Sequence, residues 1–301
     1  AAMQKDMSRQ DFENSSVQIE LNKEYEHDKI LEQLVSIDTS YVTATPESPQ
    51  SKTVLIEELT GVACTNCRPG TELLKQMEDQ NPGRIITTAI HSGFLTTPTP
   101  NSIYDFRNAD ADALRLFFNE GDPGKPGATF DRVKVNIAGN DVYFIGKGQT
   151  GSDWIATLPT RLSKPTPVNI HLTSDYSTAE NQSIIKVKLA FTSAVTDQLA
   201  LTLYVLEDGK KDIQEDTELG EIHDYEFNHV LKKIITPVGG ELILDSLSTK
   251  EPGRVLEKSV IYKPEIAGIN GLVPDKARII AIVHKTGTSK EVLHAAEVHL
   301  K

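Results

Sequence analysis

Two hydrophobic periods divide the chain. From residue 53 to about 164, short continuous apolar runs alternate with stretches whose apolar positions recur every three to four residues. Thr53-Val-Leu-Ile-Glu-Glu-Leu-Thr is nearly all apolar, the pattern of a strand buried on both faces. Leu73, Leu74 and Met77 follow at helical spacing, and Asn81-Pro-Gly ends that helix. Ile85-Ile-Thr-Thr-Ala-Ile-His reads as a second buried strand. Strand, helix and strand in so short a span predict a right-handed crossover and a parallel pair. The stretch from Ser92 to Asn101 is too irregular for an element. Asn108 to Asn119 predicts a helix with Asp110 and Asp112 in its first turn, where the macrodipole favours carboxylates. Gly121-Asp-Pro-Gly-Lys-Pro-Gly stops it. Ala128–Val135 and the shorter Val142-Tyr-Phe-Ile predict strands. Ser152–Leu162 predicts a helix that Pro159 disturbs in its second half.

After Lys164-Pro-Thr-Pro the period becomes two. Val168–Thr173 and Ile185–Phe191 alternate apolar and polar positions cleanly. Leu199–Leu206, Phe227–Ile235, Glu241–Leu244, Val255–Tyr262, Ile279–His284 and Val292–Leu300 continue the series. Short strands with turn signals between them predict an all-β sandwich. It is immunoglobulin-like in architecture only, because the Cys…Trp…Cys pattern of antibody domains is absent. Residues 1–50 are polar and acidic, with a brief strand pattern at Ser16–Asn22, a short helix over Glu24–Val35 and a Pro/Ser linker at Thr43–Gln50. The expected division is therefore an N-terminal segment and linker at 1–50, an α/β domain at 51–164 and a β-sandwich at 165–301.

A length of 301 residues fits two domains. The net charge of -12, from 31 basic against 43 acidic side chains, argues against nucleic acid, whose phosphates need a concentrated basic surface. No apolar run approaches the ~20 residues of a membrane helix, and Ala1-Ala-Met-Gln-Lys-Asp has no apolar core of a signal peptide.

Candidate chemistry centres on the two cysteines, Cys64 and Cys67, in one Cys-Thr-Asn-Cys tetrapeptide. A disulfide-stapled scaffold needs several cysteines at scattered spacings. A zinc ribbon needs two further ligands, and His91 alone does not complete a tetrahedral site. A dithiol–disulfide couple is the economical reading. Placed between a buried strand and a helix, such a pair gains from the helix N-terminus, which stabilises the attacking thiolate.

These residues resemble the thioredoxin fold. The resemblance implies a buried acid six residues before the first cysteine that assists proton transfer, where Glu58 stands with Glu57 beside it. It also implies a cis-proline opposite the pair, at Pro126 of Lys125-Pro-Gly-Ala-Thr-Phe, whose flanking backbone receives an extended substrate segment. Ala63 departs from the aromatic residue usual before the first cysteine. Pro69 is awkward in a helix that starts at Cys64, so either the helix starts nearer Arg68 or its first turn is distorted. Arg68 adds a cation that stabilises the thiolate.

Val54-Leu-Ile-Glu-Glu-Leu-Thr-Gly-Val-Ala-Cys-Thr-Asn-Cys, Gly-Lys-Pro-Gly-Ala-Thr-Phe-Asp-Arg and Asn228-His-Val-Leu-Lys-Lys together resemble the outer-membrane-protein-twenty-eight-related family. Its members are lipid-anchored envelope proteins of Gram-negative anaerobes, with a thioredoxin-like domain followed by a β-sandwich. The resemblance implies that fold and an outer-membrane location in the cell envelope. It also implies membrane association through a lipidated cysteine upstream of this chain.

Plainer readings stand beside these. The cysteines can form a structural bridge, Glu58 can pair with a lysine, and Pro126 can merely shape a turn. His223 and His229 match no standard zinc spacing. Asn108, Asp110 and Asp112 imitate a calcium loop but lack its glycine and closing glutamate, so helix capping explains them. His91 and Ser92 are adjacent without a third group for a hydrolase.

The leading expectation is thiol–disulfide exchange with protein or peptide thiols, needing no bound cofactor. Cys64 attacks, Cys67 resolves, Glu58 moves protons, Pro126 shapes the groove and Arg68 steadies the thiolate. The alternative is a surface-exposed binding or adhesion module in which this fold is a scaffold. An accessible Cys64 is expected of the first reading.

Overall fold

Strand β2 (Val54–Thr60) is buried at every position, and its two faces sort the surrounding elements. The computed structural model describes residues 38–120, 124–148 and 151–301. The strand expected at 16–22 and the helix expected at 24–35 lie outside the described residues, as do Gly121, Asp122 and Pro123 of the predicted helix stop. Helix α1 (Cys67–Gln80) carries the chain from β2 to β3 (Ile85–His91), and the two strands pair in parallel from Val54↔Ile85 to Thr60↔His91. Strand β4 (Gly127–Phe130) lies antiparallel to β2 on its other side.

Alternate residues of β2 point to opposite faces. Val54 and Ile56 pack with Leu74 and Met77 of α1 and with Trp154 and Leu158 of α3 (Ser152–Leu162). Leu55 and Leu59 pack with Ala111 and Leu114 of α2 (Ala109–Phe117). Asn108 caps α2 by accepting the Ala111 N–H, as its sequence predicts.

The strand expected over Ala128–Val135 stops at Phe130. Asp131 and Arg132 both take left-handed backbone, with φ of 52° and 53°, which turns the chain out of the sheet. Residues Val135–Ile137 (β5) and Asn140–Val142 (β6) form a separate hairpin. Ile145–Gly146 (β7) returns to pair with β4.

All eight strands expected beyond residue 165 are present: β8 (Val168–Ser177), β9 (Gln182–Phe191), β10 (Leu199–Glu207), β13 (Val230–Ile234), β14 (Glu241–Ile243), β15 (Arg254–Tyr262), β16 (Ala277–Lys285) and β17 (Val292–His299). The expectation omitted three more. Thr39–Val42 (β1) pairs with β15. Lys210–Asp216 (β11) and Gly220–Phe227 (β12) form a hairpin whose charged sequence hides its strand character.

A four-stranded sheet in the order β1-β15-β9-β8 faces part of a nine-stranded sheet, with Ile170, Val187 and Leu189 against Leu201, Leu203 and Ile279 in the shared core. The chain is mostly β-sheet with few helices and contains a β-sandwich. The larger sheet runs β17-β16-β10-β13-β3-β2-β4-β7, with β14 paired to β10 as its ninth strand. It therefore crosses the boundary expected at 164/165, through the parallel bridge Val230↔Ala89 and the Ala89 N–H donating to His229 O at 2.8 Å.

Buried charges stitch that crossing. Lys52 Nζ donates to Asp131 Oδ1 and to Val292 O, each at 3.0 Å, and Arg161 Nε reaches Asp131 Oδ2 at 3.0 Å. Asp131 O accepts the Val292 N–H at 2.8 Å. Arg132 donates twice to Glu57, each at 2.9 Å, and once to Tyr204 Oη at 2.6 Å, while Tyr204 donates to Glu57 at 2.8 Å. Glu57, Arg132 and Tyr204 are all fully buried.

A buried ion pair gives little net stability over an apolar replacement, but removing one partner strands the other charge. Arg132→Met should therefore cost about 3–5 kcal/mol in urea unfolding, and Glu57→Leu combined with Arg132→Met should recover most of it. A double variant no more stable than the single one contradicts this account of the pair.

Candidate functional site

The loop after β2 is shaped by a close backbone approach. A Cβ on Gly61 would lie 2.2 Å from Leu95 O, so only glycine lets the chain pass. Ala63 N–H then donates to Leu95 O at 3.0 Å, Cys64 N–H to Gly61 O at 3.0 Å and Cys67 N–H to Cys64 O at 3.1 Å. Cys64 and Cys67 are joined by a disulfide, with 5.4 Å between their Cα atoms. Helix α1 begins at Cys67, the later start that was one of the two options Pro69 left open. Pro69 is its third residue, where a missing N–H breaks no intrahelical bond. Cys64 therefore stands three residues ahead of the helix rather than at its first position.

The adjacent acids Glu57 and Glu58 fall on opposite faces of the sheet. Glu57 takes the ion pair with Arg132, and Glu58 points toward α1. Thr71 Oγ1 lies 3.3 Å from Glu58 Oε2 and 3.3 Å from Cys67 O, so one hydroxyl touches both the acid and the cysteine's backbone. Burial pushes the Glu58 carboxyl up to about 8, Thr71 opposes that rise, and the charge of Glu78 adds to it. At neutral pH the acid is mostly protonated and poised near the operating pH of a proton donor.

A cavity of about 100 Å³ adjoins Glu58, lined among others by Thr71, Glu78, Tyr225 and His229. Tyr225, on β12, is pushed up to about 12 by burial and then by the charge of Glu58.

The Lys125–Pro126 peptide bond is cis. Pro126 sits against α1, where a Cβ on Gly70 would come within 3.0 Å of its Cγ and 3.3 Å of Trp154 Cη2. Gly70 was not among the residues singled out from sequence, and its role is visible only once α1 and Pro126 are brought together. Arg68 is held by two carboxylates, Nε to Asp216 Oδ2 and Nη1 to Glu72 Oε1, each at 2.7 Å. The Arg68 hydrogen bond in turn draws Asp216 down to about 2. Much of the cation expected to serve the thiolate is thus already balanced.

Cys64 and Cys67 are each only 1% exposed. The expected accessible Cys64 is not what the fold provides, because the β11–β12 hairpin lies over the loop. Glu215 N–H donates to Val62 O at 2.8 Å and Thr217 N–H to Thr65 O at 3.0 Å. Gln214 Nε2 donates to Cys64 O at 3.0 Å. Gln214, Asp216 and Tyr225 carry no local signature in the sequence, and only tertiary pairing brings them to the cysteines.

The remaining candidates are separated. Burial pushes His91 down to about 3, and it packs among the rings of Phe106 and Phe227. Ser92 Oγ is bound to Asp112 and Arg115. Asp110 accepts the Ile234 N–H instead of joining Asn108 and Asp112 in a loop. His223 lies near Glu221, whereas His229 lies near Glu78 and Asp208. Among the described residues no group of three His, Cys, Asp or Glu is placed to hold a metal ion.

The Glu58 carboxyl is raised on folding, so the folded chain keeps a proton that the unfolded chain releases near its ordinary value of 4.5. Its stabilising contribution is complete below that value and is lost as pH rises toward about 8. The buried His91, His284 and His294, each pushed down to about 3 by burial, act oppositely and are finished above their ordinary 6.5. Between pH 6.5 and 8, the unmodified protein should lose stability by up to about 1.4 kcal/mol per pH unit relative to Glu58→Gln. Parallel stability curves for the two proteins in that window would refute the assignment.

The family model described as outer membrane protein Omp28 matches residues 123–299. No curated protein matches the chain. Among solved structures, HBP35 of Porphyromonas gingivalis is similar, with a TM-score of 0.60 at 18% identity over 84% of this chain and 77% of that one. A protein of Agrobacterium tumefaciens aligns with a TM-score of 0.47 at 9% identity, over 84% of this chain and 97% of its own. A domain of the outer membrane lipoprotein Omp28 from Porphyromonas gingivalis aligns over 45% of this chain and 89% of its own, at 18% identity and a TM-score of 0.29. Since the family model takes in more than half of the residues and includes the Pro126 loop, the Asp131-Arg132 turn and nearly all of the sandwich, the chain belongs to the outer membrane protein Omp28 family, and its place is the outer membrane of the cell envelope.

Proposed function

We propose that residues 51–164 form a thioredoxin-like unit that exchanges disulfides with protein or peptide thiols, and that residues 165–301 serve it as a partner platform. The observation that carries this reading is one constellation. A Cys-X-X-Cys bridge closes at the N-terminus of the crossover helix, a buried acid with a raised pKa is linked through Thr71 to the Cys67 backbone, and a cis-proline packs on the same helix. A scaffold alone does not need a protonated glutamate linked to its cysteine backbone. The envelope location agrees, because disulfide chemistry persists outside the reducing cytosol. Attachment through a lipid anchor ahead of these residues belongs to the same proposal.

In the reduced protein the Cys64 thiolate attacks a sulfur of the substrate disulfide. A mixed disulfide forms and one substrate thiolate leaves, taking a proton. Glu58, left ionised by giving its proton to that thiolate, takes the proton of Cys67, which attacks Cys64 Sγ. The second substrate thiolate leaves and is protonated in turn, and the Cys64–Cys67 bond closes. Two electrons have passed to the substrate. A thiol reductant resets the pair by the reverse steps. Pro126 shapes the groove, and Arg68 steadies the Cys64 thiolate when Asp216 releases it.

The near-complete burial of both cysteines favours a second reading, in which the bridge is structural and the chain is a surface-exposed binding module. Trapping separates the two. Cys67→Ser should accumulate a mixed disulfide through Cys64 with thiol-bearing envelope proteins, visible on non-reducing gels, and Cys64→Ser should not. Glu58→Gln should slow disulfide turnover about 10²-fold, the scale of a lost general acid–base group. Absence of any trapped adduct, with stability and partner binding unchanged in both serine variants, supports the binding module instead.

A further inference from the structure

The hairpin over the disulfide pairs with the cysteine loop in a strand-like way. Glu215 and Thr217, two residues apart, turn their N–H groups to Val62 O and Thr65 O. The donors keep the two-residue period of an extended chain, while the acceptors lie three residues apart in the turns of the loop. Between them Asp216 points to Arg68, and ahead of them the Gln214 amide reaches Cys64 O. Tyr225 of the same hairpin lines the cavity beside Glu58. One element therefore holds the backbone around the cysteines and lines the cavity beside the acid.

Its attachment to the loop combines hydrogen bonds and one ion pair with the packing of Phe227 on Val62, and β11 and β12 form a sheet of their own outside the large one. The tip of this hairpin, where residues 217–220 are exposed, opens at lower cost than the Phe227 end or a core strand.

We propose that residues 214–217 are a built-in occupant of a polypeptide-docking edge, and that an extended acidic segment of a partner displaces the hairpin to reach Cys64. The partner's backbone N–H groups take Val62 O and Thr65 O, and its carboxylate takes Arg68. This inference rests on the exchange reading of the disulfide, because it names the class of polypeptide that the exchanging site admits.

The test is the rate at which dithiothreitol reduces the bridge. The reagent gives two electrons to the Cys64–Cys67 bond and leaves as its cyclic disulfide, and its two protons end on the protein thiols. In Gln214→Ala combined with Asp216→Asn, losing a charge-assisted bond should raise the open fraction and the rate about tenfold. A synthetic peptide copying Lys210–Leu219, added in excess, should slow that variant again. An unchanged rate, or a raised rate that the peptide leaves unaffected, overturns the proposal.

Should the double variant not fold, amide exchange in the unmodified protein decides. The Glu215 and Thr217 amides should exchange well before those of Leu203 and Ile280 in the core, and exchange only on global unfolding overturns the proposal. Failure of the exchange reading looks different. Hairpin-dependent reduction without turnover of any disulfide substrate keeps the docking edge and removes the exchange function. Turnover with hairpin-independent reduction does the reverse.

Discussion

Two consecutive charged residues in left-handed backbone, Asp131 and Arg132, hold this molecule together. They end β4, turn the chain out of the sheet, and send their side chains in opposite directions. Asp131 gathers Lys52 and Arg161 and receives the β17 backbone, while Arg132 takes Glu57 of β2 and Tyr204 of β10. Partners on both sides of residue 165 thus converge on one dipeptide. Charges so deep gain little net stability over apolar packing, but they tolerate only one arrangement of neighbours. The bonds from Arg132 tie β2 to β10, and those to Asp131 tie β17 to the strand that carries the cis-proline loop.

The cysteine site depends on that register. With Glu57 committed to Arg132, Glu58 faces α1, where burial raises its carboxyl and its proton is retained. With the second half docked beside β3, the hairpin that follows β10 lies over the cysteine loop. The same junction therefore places the acid beside α1 and delivers the cover of the cysteine loop. Burial of both sulfurs and the raised carboxyl point to opposite functions when taken separately. A displaceable cover reconciles them, since a site can be closed at rest and still be chemically poised.

Much of this was legible in the sequence, for physical reasons. Val54–Thr60 and Ile85–His91 are apolar because both faces of a central parallel pair are covered, and the period-two runs beyond residue 165 mark strands with one wet face. Of the two options that Pro69 left open, the later helix start is the one found, and Pro126 lies where a cis bond is found. Three things were hidden. Nothing local tells Glu57 from Glu58, because a partner 75 positions away decides which one carries a pair. The hairpin at 210–227 is too charged to show a strand's alternation. The continuity of the large sheet rests on one parallel bridge between segments about 140 residues apart in sequence, Ala89 and Val230, which no periodicity encodes.

The claim on which the account stands is that the Cys64–Cys67 bond is a working couple and not a staple. Its reduction potential tests that claim most directly, by equilibrating the full chain with redox buffers and counting trapped thiols. Exchange predicts a value between about -120 and -270 mV, the range of exchange catalysts. A value below about -300 mV, where structural bridges lie, would contradict it.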